Sequence, residues 1–99
     1  MLNIEKNTNE TGLTVVLTGR LDTTTAPELE KELKASLDGV SALTIDMAAL
    51  EYISSAGLRV LLSAQKTMNK QGEMIIKNVN ETINDIFEVT GFIDILTIV

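Results

Sequence analysis

The 99-residue chain has no histidine, no cysteine and no tryptophan, and only one proline and one tyrosine. Each absence removes a class of chemistry. Without cysteine there is no disulfide, no thiol nucleophile and no thiolate metal site. Without histidine, the commonest general base near neutral pH and the commonest transition-metal ligand are both missing, and a Ser-His-Asp triad cannot be assembled. Aromatic residues make up 3% of the chain, so the core has to be aliphatic, with the four methionines as filler. No apolar run reaches the roughly 18 residues of a membrane helix, and the opening MLNIEKNTNE is too polar for a secretory leader. Positive charge is also scarce. Eight Lys and Arg against 14 Asp and Glu give a net charge of −6, which argues against nucleic acid or an anionic membrane as partner and suits a basic protein surface. The expectation is a cytoplasmic protein with no cofactor and no metal.

What is present suffices for one core. Hydrophobic residues are 44% and charged residues 22% of the chain, ordinary usage for a globular domain, and the length fits a single domain over residues 1–99. Leu2 to Lys6 alternates as a short strand does, Asn7 to Gly12 is dense in turn formers, and Leu13 to Gly19 (LTVVLTG) reads as a strand buried on both faces. The two form a hairpin. Ala26, Leu29, Leu33 and Leu37 then recur at helical spacing, with Thr25 and Glu28 spaced as a capping box, Pro27 in the first turn and Gly39 as the stop.

Leu43, Ile45 and Met47 share one face of the next strand. Ser54 to Gln71 is a second helix, with Leu58, Leu61, Leu62, Gln65 and Met68 on one stripe and Gly72 at its end. Glu73 to Val79 is a strand. Asn80 caps a third helix built on Ile83, Ile86 and Phe87 and closed by Gly91, and FIDILTIV (Phe92 to Val99) is a last strand. The order β-β-α-β-α-β-α-β predicts an α/β fold: a mostly parallel central sheet of about five strands, an amino-terminal hairpin and three helices.

In such a sheet, partners meet the loops beyond the carboxyl ends of the strands. Two of these loops are rich in polar residues: Arg20, Asp22, Thr23, Thr24 and Thr25 after the second strand, and Ser54 and Ser55 after the third. If those strands are parallel neighbours, Asp22 and Ser55 share a rim. With Ser54 as N-cap, bonding the amide of Ala56 or Gly57, Ser55 is the first helical residue and its hydroxyl points outward. Gly57 costs about 1 kcal/mol relative to alanine inside a helix, so it calls for close packing inside or access outside. A phosphate on Ser55 sits at the positive end of the helix dipole and adds about −1.5 to −2 charges to the rim. On local grounds alone the same stretch also reads as a cap and a tight helix–sheet contact, and Asp22 as a turn residue.

LTGRLDTTTAPEL (Leu17 to Leu29), LTIDMAALEYISSAGLRVLL (Leu43 to Leu62) and GEMIIKNVNETINDIFEVTGF (Gly72 to Phe92) together resemble the bacterial anti-sigma factor antagonists of the STAS domain family. The resemblance covers nearly the whole chain. It implies a binding module that engages an anti-sigma factor, usually a GHKL-type serine kinase, and so releases a sigma factor. It also implies inactivation by phosphorylation at the start of the second helix and reactivation by a PP2C-type phosphatase. Aligned on Gly57 and Leu58, the family's Asp-Ser-(Ser/Thr)-Gly-Leu motif puts the acceptor on Ser55 and the acidic loop residue on Asp22. Thr23, Ser54, Ala56, Gly57, Leu58 and Arg59 complete the implied partner surface, with the chain a monomer or weak dimer.

Two departures stand out. Ser54 replaces the motif's aspartate and is a competing acceptor, and Arg59 occupies a position held by glycine in the best-known members. The alternative within the family is a constitutive accessory subunit with no phosphoswitch. A receiver-like or Mg²⁺-dependent enzyme, with Asp22 and Asp46 as ligands, is disfavoured because FIDILTIV supplies no lysine and no glycine loop cradles phosphate.

Overall fold

The computed structural model describes residues 2–10 and 12–99; Met1 and Thr11, the latter inside the expected first turn, lie outside the described residues. The elements are β1 (Leu2–Asn9), β2 (Gly12–Leu21), α1 (Ala26–Ser36), β3 (Ala42–Ile53), α2 (Ser55–Gln71), β4 (Glu73–Lys77), α3 (Glu81–Thr90) and a short 3₁₀ turn at Phe92–Asp94. The sheet order is β1-β2-β3-β4. β1 and β2 form an antiparallel hairpin in register from Leu2↔Gly19 to Asn9↔Gly12, and both outer pairings of β3 are parallel. The hairpin turn is tighter than the polar stretch suggested. The strands run on to Asn9 and Gly12, and Glu10 takes a positive φ of 43°.

The pleat directs alternate side chains to opposite faces. Leu13, Val15 and Leu17 of β2, Leu43, Ile45 and Met47 of β3, and Met74 and Ile76 of β4 are buried in one cluster with Leu29 and Leu33 of α1, Leu58, Leu61 and Met68 of α2, and Ile83 and Phe87 of α3. The other face carries Thr14, Val16, Thr44, Asp46, Ile75 and Lys77, all only half-buried. β2 is therefore buried on one face, not on both. The shortest molecular dimension, 19 Å, matches one sheet and one layer of helices, each about 10 Å thick.

β3 is longer than its apolar alternation implied because it carries two register shifts against β2, between Val16 and Thr18 and between Gly19 and Arg20. Each inserts a residue on the β3 side. The buried positions then fall three apart, at Met47, Leu50 and Ile53, where a regular strand repeats every two. The bulges keep apolar side chains inward while the strand bends toward the start of α2.

At the other end, the expected fifth strand shrinks to one parallel bridge, Ile76↔Ile98, with Ile76 N–H donating to Thr97 O at 2.8 Å and Val99 N–H to Ile76 O at 3.0 Å. Gly91, left-handed at φ 81°, closes α3, and the chain tightens into the 3₁₀ turn, with Ile95 and Leu96 N–H both bonded to Phe92 O. The 3₁₀ turn thus takes up residues that the expected strand assigned to the sheet.

Candidate functional site

The carboxyl ends of β2 and β3 lie side by side through the pairs Arg20↔Tyr52 and Leu21↔Ile53. Immediately beyond, Ser54 N–H donates to Leu21 O at 2.9 Å. The loop that begins at Asp22 and the helix that begins at Ser55 therefore leave the same rim, each one residue past this bond.

The Asp22 loop is folded on itself. Asp22 Oδ1 accepts from Thr24 N–H at 3.0 Å, Thr24 Oγ1–H at 2.7 Å and Thr25 N–H at 3.1 Å, and Asp22 O accepts Ala26 N–H at 2.8 Å. Buried Thr25 bridges the turn, its hydroxyl donating to Arg20 O at 2.8 Å and accepting Asp22 N–H at 2.8 Å. The expected Thr25–Glu28 capping box does not form, because the Thr25 hydroxyl is spent on this loop and Asp22 satisfies the amides ahead of α1. The Thr24 hydroxyl, followed by the loop amides of Thr25 and Thr24, holds the Asp22 carboxyl below its ordinary range against some opposing desolvation. Asp22 Oδ2 faces Arg20 Nε at 3.9 Å, and the Arg20 guanidinium lies over the Tyr52 ring at 4.5 Å.

α2 begins as its cap chemistry requires. Ser54 is extended (φ −99°, ψ 176°), and its hydroxyl accepts Gly57 N–H at 3.4 Å. Ser55 is exposed, as are Thr23 and Arg59, while Ser54, Ala56 and Asp22 are partly exposed. The first turn of α2 contains no acidic residue, whereas those of α1 and α3 contain Glu28 and Glu81.

Gly57 and Leu58 are corrections to the implied partner surface, since both are buried. A Cβ on Gly57 would lie 2.7 Å from Leu21 Cγ and 2.9 Å from Ile53 Cγ1. This glycine lets the helix start settle onto the ends of β2 and β3, so its role is inside. Leu58, 5% exposed, belongs to the core. The residues of this rim that remain exposed or partly exposed are Asp22, Thr23, Ser54, Ser55, Ala56 and Arg59. Pro27 and Glu30 of α1 join it by lining, with Thr23, Ala56 and Arg59, a shallow groove of about 200 Å³ between the starts of α1 and α2. Sequence reasoning missed this α1 wall, and it missed the Arg20–Tyr52 stack, which depends on the second β3 bulge.

Asp46 does not join the rim. It pairs with Val16, six residues before Asp22 along β2, a distance of about 20 Å at strand rise. Its carboxylate accepts Ala48 N–H and Asn78 Nδ2–H, each at 3.0 Å. A shared Asp22–Asp46 cation site is thereby excluded. Among the described residues no three acidic or other metal-ligating side chains converge, and no helix is long and apolar enough to cross a membrane.

The family model of the STAS domain matches residues 3–99. The chain is 36% identical over 88 residues to BtrV of Bordetella bronchiseptica, a candidate anti-sigma factor antagonist, covering 87% of this chain and 76% of that one. It is 33% identical over 97 residues to the anti-sigma-B factor antagonist of Staphylococcus aureus, covering 96% and 90%. The crystal structure of an anti-sigma factor antagonist from Mycobacterium paratuberculosis superposes with a TM-score of 0.89 over 99% of this chain and 85% of that one. At 23% identity that last likeness is one of fold.

Proposed function

The chain belongs to the STAS domain family, and from that premise we propose that it is an anti-sigma factor antagonist, a binding module without catalysis of its own. It docks through the rim formed by Asp22, Thr23, Ser54, Ser55, Ala56 and Arg59 onto an anti-sigma factor, which then gives up its sigma factor. The partner is itself a GHKL-type serine kinase. Ser55 Oγ attacks the γ-phosphorus of the kinase's ATP, the bond to the β-phosphate oxygen breaks, ADP leaves and the hydroxyl proton passes to a base on the kinase. A PP2C-type phosphatase hydrolyses the ester and resets the domain.

The observation that carries this reading is the exposed position of Ser55, first residue of α2, beside the self-bonded Asp22 loop. A folded chain can offer that hydroxyl to a kinase without opening its core. The N-terminal end of α2 has no carboxylate in its first turn, so a phosphate there is tolerated by the fold. A docked partner does not tolerate it. Moving a complex from almost fully bound to almost fully free takes about 5.5 kcal/mol of differential affinity, which a dianion forced into a desolvated interface can supply.

The test is incubation of the full chain with its cognate kinase and ATP, followed by peptide mapping. Phosphate on Ser55 supports the reading. Phosphate on Ser54, or none at all with undiminished partner binding, replaces it with a different acceptor or with a constitutive STAS scaffold.

A further inference from the structure

We infer that Arg59 is the intramolecular partner of a phosphate carried on Ser55, so that phosphorylation both adds an anion to the docking rim and withdraws a cation from it. This rests on the reading of Ser55 as acceptor. Ser55 and Arg59 are four residues apart in α2 and both are exposed, which puts them on one helix face with Cβ atoms about 5–6 Å apart. Helical side chains lean toward the amino end, so the Arg59 side chain is directed back over the turn that begins at Ser55. On α2 itself the small Ala56 lines the groove beside Arg59, and Thr23, Pro27 and Glu30 form its opposite wall.

The competing partners are already engaged. Among the described residues Arg59 has no salt bridge. The groove's one carboxylate, Glu30, lies 3.6 Å from Lys34. The other guanidinium of the rim, Arg20, is held between the Tyr52 ring and Asp22, which leaves Arg59 as the cation free to move. A phosphomonoester presents three acceptor oxygens, and a guanidinium meets two of them with parallel N–H donors.

In the unmodified chain Arg59 is therefore available to a partner's acidic or polar groups. Once Ser55 carries phosphate, it folds back onto its own helix. Repulsion of the partner and loss of an attractive contact then act together, and the phosphate is partly shielded from hydrolysis.

The test installs phosphoserine at position 55 during translation, which makes it independent of any kinase. The full chain and an Arg59→Gln chain, both phosphorylated, are titrated by ³¹P NMR at low salt. The expected result is a second phosphate ionisation lower by about 0.3 unit or more in the chain that keeps Arg59, with the gap closing in 1 M salt. Superimposable curves overturn the inference. The Arg59 Nε–H resonance, followed in the unsubstituted chain through the same titration, supplies a second readout that needs no variant. It moves with phosphate protonation if the pair exists and stays still if it does not. Failure of the kinase to modify Ser55 sinks the functional reading and leaves this coupling measurable on its own.

Discussion

The amide of Ser54 and the carbonyl of Leu21 are joined by a 2.9 Å hydrogen bond that brings two sequence-distant loops to one rim. Leu21 ends β2 and Ser54 caps α2, so this contact fixes how far the exposed Ser55 stands from the Asp22 turn. Beneath it, Gly57 lies against Leu21 and Ile53 with no room for a methyl group. The rim's geometry is thus set from below by packing, and its chemistry is presented from above by polar side chains.

Gly57→Ala tests the packing. Its Cβ would meet Leu21 Cγ at 2.7 Å, and Leu21 is fully buried, so the helix start has to lift. Overpacking of this kind costs about 1–3 kcal/mol, which outweighs the roughly 1 kcal/mol that alanine gains over glycine in a helix. The expected outcome is a lower urea midpoint with an unchanged m-value, and weaker partner binding because Ser55 shifts with the helix. An alanine variant as stable as the parent would show that the close approach to Leu21 does not restrain α2.

The two carboxylates with locally saturated oxygens predict the acid response. Thr24 chiefly lowers the ionisation of Asp22, and the Ala48 amide chiefly lowers that of Asp46, with Asn78 adding to it. A carboxyl depressed in the folded state contributes stability above its unfolded value near 3.9, and that contribution is lost as pH falls through the unfolded value toward the folded one. Asp22→Asn and Asp46→Asn are therefore less stable than the parent at pH 7, and the difference narrows as pH falls below the unfolded value and closes once the parent's depressed carboxyls are themselves protonated. Urea midpoints measured across this range check it. A deficit that persists unchanged in acid would assign the loss to the amide's geometry and not to charge.

Asn80 tests the β4 side of the same carboxyl end of the sheet. Its Oδ1 accepts Ile83 N–H at 2.9 Å as the cap of α3, and its Nδ2 donates to Leu50 O at 2.8 Å, beside the β3 bulge. Asn80→Ala removes both bonds and leaves a part-buried carbonyl unpaired, a loss of about 2 kcal/mol or slightly more. Asn80→Asp keeps the cap and loses the donor, so it falls between the parent and the alanine variant. Thermal unfolding reads this directly, since 1 kcal/mol shifts the midpoint of a domain this size by roughly 4–8 °C.

The contrast between these sites shows what the sequence made legible. Asn80, Gly91 and Ser54 act at the helix ends where their chemistry placed them, because capping is decided within a few residues. Thr25 did not, because its hydroxyl is claimed by Arg20 and Asp22, and the competition between a cap and a turn is settled only by the loop's closed geometry. The β3 bulges were invisible because Met47, Leu50 and Ile53 break the two-residue alternation, and only pairing with β2 explains their spacing. Phe92 to Val99 is apolar enough for a strand, but Gly91 and the 3₁₀ turn use up its length. At the site, the exposed start of α2 at Ser55 could be read from the cap at Ser54. The α1 wall of the groove could not, because it depends on how two helices pack.

Charge at the first residue of α2 should decide partner binding. Ser55→Asp brings a single negative charge to the position where phosphate brings nearly two, so it weakens the complex by roughly tenfold or more, equivalent to about 1.4 kcal/mol. Ser55→Ala removes one exposed hydroxyl and leaves affinity within about threefold. Calorimetric titration against the anti-sigma factor checks both. Equal affinities for the two variants would leave the rim as a docking surface and remove the switch.

The last prediction separates the two adjacent serines, which the motif alone leaves as rivals. The Ser54 hydroxyl is turned to Gly57 N–H at 3.4 Å and its amide to Leu21 O, so Ser54 is a structural cap, while Ser55 is exposed. Ser54→Ala should lower stability by about 0.5–1 kcal/mol, the lower part of the range for a lost cap because the bond is long, and should still accept phosphate. Ser55→Ala should keep the parent's unfolding midpoint within about 0.5 kcal/mol, as exposed substitutions do, and lose the phosphate altogether. The two variants thus fail in opposite assays. Phosphate lost from Ser54→Ala and retained by Ser55→Ala would move the acceptor one residue back, onto the side chain that now closes the helix.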